Sequence, residues 1–414
     1  MDIIVQKFGG TSLADVKGRK KAARHIMQAL KKGSMPVVVV SAMGRKGSPY
    51  ATDTFIHLAR RENPGPDGRT LAFLMACGEN IAAAVLALTL QAKGVKALPL
   101  SGGMAGVVTT DNYREAMIKK IHKEKILKIL DKKLLPVVAG FQGVNEAGEV
   151  TTLGRGGSDV TAVALGAALE ASLVEVYTDV SGLMTADPRI VPEARPLGRA
   201  SYSEILQMAQ EGARVIHPRA VEIAMEYGVP IAIRSTYEDG QGTLVHNHKE
   251  PFPGEQRDRR LITGITQVQG LAQIAASVDC SEAEEEMFKT LAENQVSIDL
   301  INIFPGKKIF TIPLENMDLS VKLLKKLKIK FQAERDLAKV TVIGAGMRGI
   351  PGIMLKIVSA LKQEGVPILQ TADSHINISC LIREEYVQRA VCALHRAFSL
   401  ETDTPWDAGV KNSP

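Results

Sequence analysis

The chain has 414 residues, 45% of them hydrophobic and 23% charged, with a formal net charge of +6. That length accommodates about two or three domains with proper cores, and the composition is that of a globular chain rather than a disordered one. The 51 basic residues are interspersed with 45 acidic ones and aromatics make up only 4%, which argues against nucleic acid and for small anionic ligands. Cys77, Cys280, Cys380 and Cys392 are widely spaced, show no CxxC pattern and sit in apolar contexts, which predicts buried thiols in a reducing compartment. The N-terminus enters a strand pattern without the basic and apolar regions of a signal peptide, and the apolar run at 81–90 is too short to span a bilayer. The expectation is a cytoplasmic protein with no membrane segment.

The first stretch, MDIIVQKFGGTSL, predicts a buried strand at Ile3, Ile4 and Val5, then a lysine and a glycine loop, then a helix start. Two glycines let backbone approach an anion, helix-start N–H groups point at it, and Lys7 adds a full positive charge. Lys7 precedes the glycines, so this is not a P-loop; alone, the motif reads equally well as a Gly-Gly turn with a solvated lysine. The pattern then alternates: a helix over 14–32, a strand at 36–41, a helix around 71–92, a strand at 95–100, a helix around 113–132 and a strand at 135–141. After Gly154-Arg155-Gly156-Gly157-Ser158-Asp159 come a helix to Ala171, a strand at 173–178 and further helix-strand units to Arg234. This order predicts an α/β domain with a mostly parallel sheet over 1–245.

Residues 246–262 collect His, Pro, Gly and charge and predict a linker. Beyond it LAENQVSID at 291–299 answers LKQEGVPIL at 361–369, each a helix end, a turn and a strand start, with a strand upstream at 273–278 and 339–343. Two copies of a small βαβ-containing module are expected, over 263–335 and 336–400, with strand exchange between them compatible with the pattern and a tail at 401–414. Ser281 with Glu284 suits a capping box, and Pro351 suits a first helical position.

GRGGSD at 154–159 again puts glycines before a helix. Two anion loops leave room for a nucleotide and an acidic substrate, and Arg155 can fork onto a carboxylate where a lysine cannot. Asp159 suits either a helix cap or a partner for Lys7; a capped helix after a flexible hairpin is the plain alternative. TDVSGLMTADPR at 178–189 follows a buried strand, where open α/β sheets bind ligands, though its spacing alone reads as an irregular loop with an Asp-Pro turn.

Taken in order, KFGGTS at 7–12, SAMG at 41–44, CGE at 77–79, GFQG at 140–143, GRGGSD at 154–159 and TDVSGLMTADPR at 178–189 resemble aspartate kinases of the amino-acid kinase superfamily. The resemblance runs from Met1 to about Phe398. It implies an amino-acid-kinase α/β sandwich followed by two ferredoxin-like ACT modules. It also implies ATP-dependent phosphorylation, with Mg²⁺, of the β-carboxylate of L-aspartate, the step opening the routes to lysine, threonine and methionine. By the same resemblance, Lys7 and Asp159 are catalytic, with Asp159 orienting Lys7. Lys7, Phe8, Gly9, Gly10, Thr178, Asp179, Met184, Arg189 and Arg214 contact ATP, although position 214 is usually lysine. Glu79 takes the α-ammonium and Arg155 the α-carboxylate, with Ser41, Thr52, Gly156 and Ser158 lining the substrate. No resident metal site is implied.

The ACT modules imply a homodimer or higher oligomer and an amino-acid effector. The Gln-Asn pair that holds lysine or threonine in many relatives is missing, and Asp279 to Ala283 reads DCSEA. With the SAMGRKGSPYATDT loop and ILQTADSH at 368–375, this looks most like members sensitive to meso-diaminopimelate, with Asp279 or Ser281 at the effector site. A lysine- or threonine-inhibited enzyme is the alternative. VTVIGAGMRG at 340–349 copies a dinucleotide fingerprint, but only 65 residues follow Gly349, too few for a full nucleotide fold. Rival readings are another amino-acid kinase and a catalytically dead amino-acid sensor. The presence of Lys7, Glu79, Arg155 and Asp159 argues against the sensor. Glu79 with Arg155 argues for a free amino acid, because an acetylated one would leave a buried Glu79 unpaired.

Overall fold

A computed structural model describes residues 2–213, 215–246, 261–345, 347 and 350–402. Arg214, most of the 246–262 linker, Gly346 and Gly349 of the fingerprint, and the tail beyond 402 lie outside the described residues. The first half of the chain runs β1 (Ile3–Phe8), α1 (Gly10–Leu13), α2 (Val16–Lys31), β2 (Met35–Val40), α3 (Thr52–Glu62), α4 (Gly68–Gln91), β3 (Ala97–Leu100), β4 (Val107–Thr109), β5 (Ile118–Ile121), α5 (Glu124–Asp131), β6 (Leu135–Ala139), β7 (Gln142–Val144) and β8 (Val150–Thr152). It continues through α6 (Gly157–Ala168), β9 (Leu173–Thr178), β10 (Arg199–Ala200), α7 (Tyr202–Gln210), α8 (Pro218–Tyr227), β11 (Ile231–Ser235) and β12 (Thr243–Val245).

Eight of these strands form one sheet in the order β10-β12-β11-β9-β1-β2-β6-β3, parallel except where β11 meets β12. All six residues of β1 are buried, which its apolar run requires of a strand covered on both faces. Successive strands spread to one side of β1 through β2 and β6, and to the other through β9 and β11. The order therefore reverses between β1 and β9, the place where such sheets open a crevice at their carboxyl ends. Helix α2 starts on Asp15, whose carboxylate accepts from Gly18 N at 2.6 Å, and buries Ala22, Ala23, Ile26 and Ala29. Helix α4 is 24 residues long and apolar enough to cross a membrane, yet Leu71 to Leu90 along one side are buried, in part in the core with Val38, Val137 and Ala139.

The helix expected over 113–132 is confined to α5 at Glu124–Asp131, and Ile118–Ile121 is strand β5 instead. IKKI at 118–121 has a spacing that suits a helix, but it pairs antiparallel with β4 (Val107 opposite Ile121), so tertiary pairing overrides the local pattern. Sheet β5-β4-β7-β8 is separate from the large one.

The second half runs β13 (Gly264–Ser277), α9 (Ser281–Glu293), β14 (Asp299–Phe304), β15 (Lys307–Pro313), α10 (Met317–Lys326), β16 (Lys330–Ile343), α11 (Ile353–Gln363), β17 (Gln370–Asp373), β18 (Asn377–Arg383) and α12 (Val387–Ala397). Its sheet order is β14-β15-β13-β16-β18-β17. β13 and β16 are 14 residues each and pair antiparallel from Gly264 opposite Ile343 to Ser277 opposite Lys330, with an irregularity between Val268 and Gln273. Each long strand therefore serves both modules. The repeat is visible in the backbone: Gln295 (φ 58°) and Gly365 (φ 66°) occupy the same left-handed position, followed by Val296 N to Leu291 O at 3.0 Å and Val366 N to Leu361 O at 2.9 Å.

Three local expectations need correction. The cap of α9 is Cys280, not Ser281, with no side-chain cap bond, because Glu284 is drawn instead to Lys308 Nζ at 2.9 Å. Cys280 is accordingly exposed, whereas Cys380 is buried; all four thiols are free. Pro351 lies two residues before α11, whose cap is Gly352 at φ 94°.

Packing divides the described residues into two units: 2–183, 196–209 and 215–246 in one, and 184–195, 210–213 and everything from 261 in the other. The excursion at 184–195 belongs to the second unit because Ala186 and Val191 are buried in its core with Val340, Val342 and Ile357. Ile265 N donates to Thr185 O at 2.7 Å, and Thr185 Oγ1 bonds His395 Nε2 at 2.9 Å.

Candidate active site

The carboxyl end of β1 presents Lys7, almost fully buried, with Nζ 2.7 Å from Asp159 Oδ1 as a close ion pair without hydrogen-bond alignment. Asp159 sits in the first turn of α6, and its Oδ2 accepts from His217 N at 3.3 Å. Phe8 does not face a ligand: its ring is fully buried and stacks on Tyr177 at 4.7 Å, so only its backbone borders the loop. Gly9 N–H is also committed, donating to Tyr177 O at 3.2 Å. The amides free to meet an anion are those of Gly10 and Thr11, the first two residues of α1. Gly10 is required sterically, since a Cβ there would lie 2.6 Å from both Ala42 O and Gly44 O.

The 41–51 loop leaves β2 and is tied to this floor by Ser41 N to Phe8 O at 3.1 Å and Gly44 N to Gly10 O at 2.9 Å. Ala42 N donates to Glu79 Oε1 at 3.1 Å, which brings CGE on α4 up to the same loop. Thr52 opens α3 at the loop's end. Glu79 is 2% exposed and its Oε2 has no partner. Burial pushes its carboxyl up to about 8, against the opposing pull of the Ala42 amide. Between its ordinary value of 4.5 and about 8 the folded chain holds a proton that the unfolded chain has released, so Glu79 costs stability as pH rises through that window. A cation arriving at Oε2 removes that cost.

Gly154 and Gly156 have φ of 73° and 72°, and a Cβ on Gly156 would come within 2.1 Å of the His217 ring. This tight turn leaves Ser158 buried against Gly140 of GFQG and projects Arg155 to the surface, where it has no partner among the described residues. At the end of β9, Thr178 Oγ1 donates to Asp179 Oδ1 at 3.1 Å, and Asp179 Oδ2 pairs with Arg45 Nη2 at 2.5 Å. Neither Arg45 nor His217 was singled out from the sequence. Arg45 entered only as part of the SAMGRKGSPYATDT loop at 41–54, and its turn is bounded by Gly44 and Gly47, at φ 93° and 92°.

Met184 and Arg189 belong to the second unit, where Arg189 holds Asp187 through Nε to Oδ1 at 3.0 Å and Nη2 to Oδ2 at 2.7 Å. Asp279 and Ser281 are exposed at the start of α9, Asp279 beside the Gly306 turn.

The site thus joins an anion floor with a buried lysine, a buried carboxylate whose Oε2 lacks a partner, and an exposed arginine on a second glycine turn. Residues 2–235 match the profile of the amino acid kinase family and residues 332–396 that of the ACT domain. The chain is 45% identical over 402 residues to Aspartokinase 1 of Bacillus subtilis, covering 97% of this chain and 100% of that one. It is 39% identical over 414 residues to the aspartokinase of Geobacillus stearothermophilus, covering 97% and 98%. Among solved structures it is similar to the aspartate kinase of Clostridium acetobutylicum (TM-score 0.77, 25% identity, 95% of this chain and 100% of that one). It also shares the fold of E. coli aspartokinase III in complex with aspartate and ADP (TM-score 0.77, 24% identity, 96% and 100%). By sequence and fold alike, this chain belongs to the amino acid kinase family, as an aspartate kinase with C-terminal ACT domains.

Proposed function

We propose that the residues gathered around β1 divide the reaction as follows, the observation carrying the division being the Lys7–Asp159 pair at the carboxyl end of β1. The β-carboxylate of L-aspartate has a reference pKa of about 4 and is ionised at neutral pH, so it attacks the γ-phosphorus of ATP without a general base. Catalysis then reduces to positioning and to neutralising charge on the phosphoryl group in flight. Lys7 supplies the positive charge, held in place by Asp159, and the Gly10 and Thr11 amides hold phosphate oxygens. Glu79 takes the α-ammonium through its free Oε2, Arg155 forks onto the α-carboxylate, and Ser41, Thr52, Gly156 and Ser158 line the rest. Thr178 and Asp179 border the nucleotide, with Met184, Arg189 and Arg214 as further contacts. The described residues contain no cluster of three His, Cys, Asp or Glu that could hold a metal ion. Mg²⁺ enters with the substrate as Mg·ATP, a habit suited to an ion that keeps its waters and binds through phosphates.

The Glu79 assignment has a pH signature. A protonated Glu79 cannot pair with an ammonium, so kcat/KM for aspartate is expected to rise with pH and level off above about 8. Glu79→Gln is expected to flatten the profile. A flat wild-type profile between about pH 6 and 8 would remove Glu79 from the substrate site.

The product, 4-phospho-L-aspartate, opens the routes to lysine, threonine and methionine, and the enzyme works in the cytoplasm as a homodimer or larger oligomer. Four free thiols support a reducing compartment. The effector is meso-diaminopimelate, held near Asp279 or Ser281 and acting by preferring an inactive arrangement. Titrating activity with meso-diaminopimelate, lysine, threonine and lysine plus threonine tests this. Strong inhibition by the first with weak inhibition by lysine alone is expected; strong inhibition by lysine alone overturns it.

A further inference from the structure

Arg45 joins the two sides of the site. Its backbone follows Gly44, whose amide rests on Gly10 O at 2.9 Å, and its guanidinium ends on Asp179, the first residue after β9. The turn carrying it is closed on itself by Arg45 N to Ser48 Oγ at 3.2 Å and Ser48 N to Arg45 O at 2.8 Å. Gly44 admits no side chain there, because a Cβ would lie 2.4 Å from Ser48 Cβ. The turn is therefore rigid and the long side chain is its moving part. Beneath it runs an open groove of about 430 Å³, lined by Thr11, Gly44, Arg45, Ser48, Asp179 and Tyr237.

The pair itself holds little. The Arg45 side chain is 72% exposed and that of Asp179 41%, and ion pairs in that setting contribute weakly to stability because water and salt screen them. A triphosphate carries several times the charge of one carboxylate and offers the paired oxygens a guanidinium binds best. We propose that Arg45 is a phosphate-binding residue of this kinase: on arrival of ATP its side chain leaves Asp179 and forks onto the nucleotide's phosphates, while the turn that carries it stays in place. This deepens the kinase reading and rests on it.

The test compares wild type, Arg45→Ala and Arg45→Lys by steady-state kinetics, and by calorimetric binding of ATP and of adenosine. Arg45→Ala is expected to raise the KM for ATP by about 10- to 100-fold, the range of a lost charge-assisted hydrogen bond, with the KM for aspartate nearly unchanged. ATP binding is expected to weaken to match while adenosine binding does not, and Arg45→Lys to recover part of the loss. A KM for ATP within about twofold of wild type, or equal losses for ATP and adenosine, which is what a merely structural loop contact would cause, overturns the proposal. Wild-type turnover of aspartate in the same assay reports separately on the kinase reading, since ATP and adenosine binding do not depend on it.

Discussion

Lys7→Ala is expected to lower kcat by about 100- to 1,000-fold, the usual consequence of removing one donor aimed at transition-state charge. The lysine is nearly buried and lies 2.7 Å from Asp159, so its loss also strands a carboxylate. Breaking such a pair destabilises by about 3 kcal/mol at most here, since both side chains keep slight solvent contact. Stability and chemistry are separated by the double variant Lys7→Ala/Asp159→Asn, which removes the stranded charge. Thermal unfolding should return toward wild type in the double variant while turnover stays low. Recovery of turnover together with stability would mean that Lys7 acts only through packing.

Gly10→Ala is expected to be as damaging by a different route. The added methyl meets two backbone carbonyls, Ala42 O and Gly44 O, each at 2.6 Å, and neither can swing aside as a flexible side chain would. The loop must shift, and with it Ser41, the Ala42 contact to Glu79 and the Arg45 turn. A displacement near 1 Å in a positioned site costs about 100-fold in rate, and overpacking adds about 1–3 kcal/mol of destabilisation. Gly9→Ala is the control: its nearest neighbours would be Lys7 Nζ and Tyr177 O at 3.6 Å, and its φ of −70° suits any residue. Kinetics and thermal unfolding of the two variants side by side check this; equal behaviour would contradict the close approach of the two loops.

The parallel core was legible because buried parallel strands leave unbroken apolar runs, as in β1, β2 and β9. The glycine turns were legible because close approach and positive φ exclude other residues, as Gly10 and Gly156 show. The strand β5 was not, because the spacing of IKKI suits a helix and only pairing with β4 overrides it. Strand exchange between the modules was compatible with the repeat, but its detail was hidden: register is a property of the partner strand, and no local pattern marks where 14-residue β13 and β16 change neighbours. Within the site, Lys7, Asp159 and Glu79 were found because they stand in motifs. Arg45 was missed because it earns its place only through Asp179, 134 residues away. The membership of Met184 and Arg189 in the second unit was likewise invisible, since it depends on Ala186 and Val191 fitting a core built from residues beyond 261.

This chain phosphorylates a free amino acid, aspartate, on its side-chain carboxylate. The most direct measurement is ADP release from Mg·ATP by the purified protein with aspartate, with glutamate and with no amino acid. ADP release that depends on aspartate, with glutamate near the level of the blank, is the expected result. Release with glutamate equal to that with aspartate, or no release beyond the blank with either, would contradict it.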